Sequence, residues 1–558
     1  MAAHVTCEYD EGPSVIRPGP FSRQPPSRSR YRTENMARQS APHIEQVIDE
    51  LDSRPDLPRS EALSDFARAY LRRFPDEWST ALPAKEMAAQ ITRLFEFLDE
   101  SGTNLISVRV FNPDIEQWGY SLPGGVVEIV CDDRPFLIDS VANAIQTQGF
   151  HIERVLHPVV GTLRDEEDRL IDILPARGAD VRESVQHIEL SRPVSGASRD
   201  ALDNAVRRAL EDTVAAVRDF DAMQQAVKRM TDYAGEGTAR YSSEDVDDAA
   251  SFLEWLLDFN FVLLGYREYE IVMQETGPAL GIVAESGLGI LADGSRSDFA
   301  TPVALTDLPD DLRSRYVDGE LLVLTKTNRK STVHRPDRMD YIGLRRVNEA
   351  GEIVGEARLL GLFTSRAYMS PASTIPILSR KLQQIIESED LIEGSHDYKQ
   401  LVQIFDSFPK DELFSTPTDE IGLSIMGLVN IEEQHQIRLF IRADLYNRSV
   451  SILVALPRDH YSASVRRKLE KLFMGKFGGN SSDFRLSLGD TGGARIHFTI
   501  WIAGGSIPEV SFAELEAEVV SLARNWEDRL RDRLRSRLGV ERGHELAEEW
   551  AGRFPEYY

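Results

Sequence analysis

The sequence predicts an α+β protein built from several small ferredoxin-like βαββα units and one larger β-rich unit, joined by helical segments. Three observations predict it. At 558 residues the chain has room for three or four domains of roughly 150 residues each. Hydrophobic periodicity changes from helical to alternating and back several times along its length. The order β-α-β-β-α is read between residues 105 and 231, and a compatible half recurs between Ile437 and Ile502.

Composition narrows the function classes. Hydrophobic residues at 42% and charged residues at 28% are ordinary for soluble globular domains. The formal charge of −27 opposes phosphate backbones and anionic lipid headgroups, so neither nucleic acid nor membrane is an expected partner. Cys7 and Cys131 are too few for a disulfide framework. No run of about 18 apolar residues marks a membrane span. Arg17, Pro18, Pro20 and Arg23 interrupt the apolar stretch that a signal peptide needs, which leaves a cytoplasmic location as the expectation.

Taken in order, residues 1–40 are rich in Pro, Ser and Arg and read as a disordered leader, within which Met36 is an alternative start. Residues 41–100 form a helical segment. Ile44, Val47, Ile48 and Leu51, then Phe66, Tyr70, Leu71 and Phe74, then Ile91, Leu94, Phe95 and Leu98 repeat at helical spacing, with breaks at Pro55, Pro58, Pro75 and Pro83. In 101–235 the strands Leu105–Phe111 and Val126–Cys131 lead to a helix carrying Phe136, Leu137, Val141, Ala144 and Ile145 and ended by Gly149. Strands Ile152–Leu163 and Val185–Leu190 and a long helix from Arg199 to Thr231 complete that unit.

Residues 236–370 comprise a helix, Asp245–Phe259, and a β-rich unit that opens with FVLLGYREYEIV at Phe261. Gly287–Leu291 and Leu321–Thr325 read as further strands. An exposed-looking basic segment, Lys326–Asp340, then feeds a hairpin of Tyr341–Val347 and Gly355–Thr364, joined by the Asn348–Gly351 turn. Residues 371–434 are helical. The unit 435–505 has strands Ile437–Arg442, Ser449–Leu456, Phe484–Leu488 and Arg495–Trp501 around the helix Ser462–Phe477. Residues 506–558 hold C-terminal helices, including Phe512–Arg537, and stop at FPEYY as though the polypeptide were cut.

Several constellations carry possible chemistry. Ser395, His396 and Asp397 are the residue types of a nucleophilic triad, but neighbours in sequence do not face one another as a triad requires, and the string reads better as a helix cap. His151 and His157, near Asp165 and Glu166, share a strand face but lie too far apart along it for a ready metal site. The basic block from Lys326 to Arg346 has the charge to bind phosphate or carboxylate, or to pair with acidic neighbours in the fold. No G-x-G-x-x-G follows a strand, no phosphate-loop motif occurs, and GLGILADG at 287–294 is a poor match. The chain therefore reads as a sensor, scaffold or regulator rather than a catalyst.

A family resemblance rests on residues spread through the chain in one order. DRPFLIDS (133–140), His157-Pro158 with Arg164-Asp165, FVLLGYREY (261–269), KTNRKSTVHRPDRMDYIG (326–343), GEARLLGLFTS (355–365), KDELF (410–414), RLFIRAD (438–444) and LPRD (456–459) resemble the N-terminal half of the large bacterial NAD-specific glutamate dehydrogenases. The resemblance implies ACT-like units at 101–235 and 435–505, a PAS-like unit within 236–370, and a dehydrogenase catalytic domain beyond 506–558, on the same or a separate chain. It implies no cofactor in this chain and NAD in the complete family enzyme, which oxidises L-glutamate to 2-oxoglutarate and ammonia. This chain alone is expected to be inactive. A homo-oligomer and an amino-acid effector are further implications.

The resemblance places an amino-acid effector at a strand-to-helix loop or a module interface; in this chain the loop is Asp132 to Pro135, with Asp133 or Arg134 to meet an ammonium or carboxylate and Asp139 at the first helical turn. The plain alternative is that Asp132 and Asp139 only start the helix. Lys326, Arg329, His334, Arg335 and Arg338 form the expected docking surface, internal or between subunits. The competing expectation is a free-standing amino-acid-sensing or protein-interaction scaffold.

Overall fold

The computed structural model describes residues 42–53, 60–72, 82–102, 104–275, 277–432, 437–444, 448–488, 493–502, 507–524, 526–551 and 553. The expected leader at 1–40, with Met36 and Cys7, and the terminal FPEYY lie outside the described residues. Among the described residues no helix is long and apolar enough to cross a membrane.

The first αβ module is built on strands β1 (Ile106–Phe111), β2 (Val126–Asp132), β3 (Ile152–Leu156), β4 (Val159–Arg164), β5 (Leu170–Pro175) and β6 (Arg182–Leu190). All pair antiparallel in the order β1-β2-β6-β4-β5, and β3 also pairs with β6. The expected single strand at 152–163 is broken at His157-Pro158, where proline has no N–H for the ladder. Helices Leu137–Thr147 and Gly196–Arg218 cover one face through Leu137, Val141, Leu202 and Val206. The other face is covered too. Helices Pro42–Asp52, Ser60–Leu71 and Ala84–Ser101 lay Leu51, Phe66, Ile91 and Leu94 over Val126, Val130, Val160 and Val185. Burial on both faces explains why β2 reads as the near-continuous apolar run VVEIVC instead of alternating.

The long helix expected from Arg199 to Thr231 is two helices. Gly196–Arg218 stays with the first module, whereas Phe220–Glu236 lays Met223, Val227 and Met230 on the next sheet. The break falls at Asp219, whose backbone leaves the helical range at φ −95° and ψ 10°; its side chain pairs with Arg218 at 2.8 Å and its Oδ2 accepts from the Gly289 N–H at 2.8 Å.

The central sheet contains β7 (Phe261–Gln274), β8 (Gly277–Ile282), β9 (Leu288–Gly289), β10 (Val303–Ala304), β11 (Leu322–Lys330), β12 (Arg338–Val347) and β13 (Ile353–Phe363). Its order is β10-β8-β7-β13-β12-β11, with β9 on β7, so the first long strand pairs with the last in the middle. Helices Phe220–Glu236 and Ser243–Trp255 pack on Leu263, Ile342, Leu344 and Leu359 of one face. Leu264, Leu360 and Leu362 on the other, with Val333 of the β11–β12 loop, meet Phe136 and Ala216 of the first module.

The second αβ module has strands β14 (Arg438–Ala443), β15 (Ser449–Pro457), β16 (Gly479–Leu488) and β17 (Gly493–Ile502) in the order β14-β15-β17-β16. Its helices Ala463–Phe477 and Phe512–Ala523 bury Leu469, Phe473, Leu515 and Val519 against Ile452, Ile496, Phe498 and Ile500. Both modules therefore run β-β-α-β-β-α with sheet order first-second-fourth-third; β5 is an added edge in the first. The outward face of the second carries Leu453 and Ala455 into the same core as helices Lys410–Ser415 and Thr418–Glu432 and the central sheet.

Candidate functional site

A cavity of about 490 Å³ lies where the loop end of the β11–β12 hairpin, helix Lys410–Ser415 and the outward face of β15–β17 converge. Each wall has a local reason. Lys326 on β11 stands opposite Asp340 on β12, so a cross-strand ion pair forms, Nζ to Oδ1 2.6 Å. The short helix begins after Pro409, which fixes the entry backbone, and its C-terminal carbonyls are collected by Lys381, whose Nζ donates to Leu413 O at 2.8 Å and Thr416 O at 2.6 Å. Burial pushes the Lys381 ammonium down to about 8. The helix thereby presents Asp411 and Glu412 to the cavity.

Asp411 is the hub. Its Oδ1 lies 3.2 Å from Lys326 Nζ and accepts from Tyr368 Oη at 3.1 Å, and its Oδ2 accepts from Arg485 Nη2 on β16 at 2.8 Å. Burial works against the Asp411 charge, but Lys326 and Arg485 outweigh it and hold the carboxyl below its usual range. Asp340, more dependent on Lys326 alone, is pushed up by burial to about 6. Around this hub the second module supplies further pairs: Arg442 to Glu412 at 3.0 Å, Ser451 Oγ to Glu412 at 2.8 Å, and Arg448 to Asp444 at 3.1 Å. Arg448 also crosses the seam, donating to Lys326 O at 3.0 Å and Thr325 Oγ1 at 2.8 Å.

Two lining groups differ from these. The Arg338 guanidinium lies 3.8 Å over the Trp501 ring and donates to Asn328 O at 2.6 Å, while its Nε is buried without a hydrogen-bond partner. His497 on β17 is 7% exposed, packs edge-on to Phe408 at 4.9 Å, and has no partner at Nδ1. Burial, with Arg495 and Arg485 nearby, pushes its imidazolium down to about 3, so the ring is neutral at physiological pH.

The basic segment is divided between two contacts. Its tip docks on the first module: His334 Nδ1 is 3.2 Å from Asp139 Oδ2, His334 N donates to Ser140 Oγ at 3.0 Å, and Thr332 Oγ1 donates to Asp212 at 2.6 Å. Phe136 and His334 meet ring to ring at 5.1 Å, and both hold positive φ, 69° and 65°, a conformation that this mutual packing maintains. Thus Asp139 and His334, read as parts of separate sites, are brought together. Asp132 pairs with Arg134 at 2.9 Å on the surface, and Asp133 N donates to Arg182 O at 2.9 Å. Arg335 pairs with Asp337 at 2.5 Å and donates to Phe363 O; Arg329 is exposed at the strand end. Lys326 departs from the exposed character expected of its segment. It is a strand residue, its side chain only 19% exposed, because two carboxylates converge on it.

Elsewhere Ser395 caps helix His396–Ser407, its Oγ accepting from Tyr398 N at 3.2 Å. His157 Nε2 is 2.8 Å from Ser184 Oγ, and among the described residues no group of His, Cys, Asp and Glu is placed to hold a metal ion. Sequence reasoning missed His497, Trp501, Asp411 and Arg485. A signal was present in ARIHFTIW: Arg495, His497 and Trp501 alternate with Ile496, Phe498 and Ile500, and an aromatic and an imidazole on the supposed polar face point to a covered surface.

Three family models match this chain: the glutamate dehydrogenase ACT1 domain over residues 66–206, helical motif 1 over 375–434 and the ACT2 domain over 438–527. The ACT1 match includes helices that cap the first sheet, and the ACT2 match supplies one wall of the cavity. Across 92% of its length the chain is 30% identical to the NAD-specific glutamate dehydrogenase of Halomonas elongata. It is 30% identical to that of Pseudomonas aeruginosa over 81% of its length, and 27% identical to that of Mycobacterium tuberculosis over 78%. The chain spans about a third of the length of these relatives, 32%, 28% and 26% respectively.

Proposed function

The chain belongs to the family of the large bacterial NAD-specific glutamate dehydrogenases, and from that membership we propose that it is the regulatory and assembly portion of such an enzyme. In this reading the complete enzyme converts L-glutamate and NAD to 2-oxoglutarate and ammonia in the cytoplasm, and the hydride transfer belongs to a catalytic domain that this portion helps to hold in a homo-oligomer. The observation that carries the reading is the pairing of the ACT1 and ACT2 matches with two modules of one strand order, each packed against a central sheet. A PAS-like character for that sheet is supported by its long antiparallel strands, the first paired with the last, and by the short elements between β8 and β11.

The residues here do not fit NAD. A dinucleotide needs a Gly-rich strand-to-helix turn at which backbone N–H groups approach the pyrophosphate. The strand-to-helix turns that follow β2 and β15, Asp133-Arg134-Pro135-Phe136 and Arg458–Ser462, contain no glycine, and the sheets they leave are antiparallel. For an effector, the loop at Asp132, Asp133 and Arg134 is the weaker of two places, because Arg134 is already paired with Asp132 on the surface; the cavity between the central sheet and the second module is the stronger. The test is glutamate-dependent NADH formation by the purified chain. None is expected, and a rate above the protein-free control would overturn the assignment of catalysis to another domain.

A further inference from the structure

The cavity wall is electrically satisfied at all its arginines but one. Arg442, Arg448 and Arg485 each hold a carboxylate, Glu412, Asp444 and Asp411, at 3.0, 3.1 and 2.8 Å. Arg338 has none within 4.0 Å among the described residues: its plane is held flat on Trp501, whose Nε1 donates to Asp483 at 2.8 Å, and that carboxylate is the opposite charge acting on it. A guanidinium pre-oriented by stacking and without a direct carboxylate pair is suited to receive a planar anion. The same cavity is lined by His497, more than nine-tenths buried, whose Nδ1 has no partner. Both side chains line a space of about 490 Å³, within the range of small-ligand sites.

We propose that this cavity binds the carboxylate of a small organic acid, with Arg338 as its charged partner and His497 as a neutral hydrogen-bonding one. A neutral imidazole adds orientation without a second charge. The ligand would touch β12 of the central sheet and β17 of the second module at once, and its occupancy stabilises the contact between them. This rests on the regulatory role proposed for the chain, and it adds the chemistry that such regulation would use. An amino acid and a 2-oxo acid share the carboxylate, so the two are separated by experiment.

The experiment is calorimetric titration of the full 558-residue chain with L-glutamate, with 2-oxoglutarate and with inorganic phosphate. Saturable binding of at least one of the two organic acids is expected, weakened at least tenfold by Arg338→Gln and several-fold by His497→Gln. Thr499→Phe fills the cavity from β17 without altering charge; it should abolish binding while leaving the thermal transition in place, which separates loss of the site from loss of the fold. Arg134→Gln, in the surface loop, should leave binding unchanged. Which acid binds identifies the source of the carboxylate. No binding by either acid, equal binding of phosphate, or binding that survives both Arg338→Gln and Thr499→Phe would overturn the proposal. Such a failure is distinct from that of the regulatory role, which falls only if the chain itself forms NADH from glutamate.

Discussion

The two αβ modules share one strand order and differ in what covers their outward faces, and a histidine on equivalent strands reports the difference. His187 on β6 and His497 on β17 both sit on the face turned away from the module's own two helices. In the first module that face is sealed by the N-terminal helices, and His187 is enclosed with carboxylates. Its Nδ1 is 2.7 Å from Glu128 Oε1, and the amide end of Gln90 on helix Ala84–Ser101 lies 2.6 Å from its Nε2 and 3.1 Å from Tyr70 Oη. Burial opposes the charge on His187, but hydrogen bonds to Glu128 and Glu189 prevail and raise its pKa. In the second module the face is shared with a neighbouring sheet across a cavity, and burial, with Arg495 and Arg485 nearby, holds His497 neutral. One topology thus serves a closed internal joint and an open one. The neighbours of a single strand position decide which.

The largest expected effect lies in the open joint. Lys326→Met leaves Asp340 and Asp411 buried without their shared cation and should cost about 3–5 kcal/mol in denaturant unfolding. Arg109→Met in the closed joint removes one of two partners of Glu128, at 2.5 Å, while His187 remains; about 1–3 kcal/mol is expected. Equal losses would erase the distinction between the joints.

The histidines sharpen the comparison through pH. The folded pKa of His187 is raised, so its contribution is full below the unfolded value of about 6.5 and is lost as pH rises through the folded value. For His497 the folded value is about 3. Between that and about 6.5 the unfolded chain holds a proton that the native chain refuses, so stability falls as pH drops through this window, by up to about 1.4 kcal/mol per unit. His187→Gln should flatten the alkaline side of the stability profile and His497→Gln the acid side. Variants that flatten the same side would contradict the electrostatic contrast.

A smaller effect separates the helices that follow β2 and β15. Ser462 caps Ala463–Phe477, its Oγ accepting from Val465 N at 3.2 Å, so Ser462→Ala should lower thermal stability by about 1 kcal/mol. Leu137–Thr147 has no side-chain cap. Its first turn is engaged instead by the docked loop, through Ser140 and His334.

Much of this plan was legible from residue order. Helical spacing marked the three N-terminal helices, and the strand-helix-strand runs marked both modules. What covers a face was not, because it depends on contacts far along the chain. Lys326 looks like a surface residue until Asp411 is brought beside it, and Asp219 looks like mid-helix until it accepts from Gly289. The short β5, LIDILP, was missed because it exists only as an edge paired to β4. Of the candidate site, Lys326 and Arg338 were singled out for their charge; the wall opposite, from β16 and β17, was not, since polar residues alternating on a strand read as solvent-facing.

Native-state hydrogen exchange tests the central contrast most directly. The continuous apolar core across the closed joint should make helix Ala84–Ser101 and β6 lose protection together, at the free energy of the most stable amides. Across the open joint, with its cavity, helix Lys410–Ser415 should lose protection separately from β17 and at lower free energy. The reverse order, or one common opening of all four segments, would contradict the account.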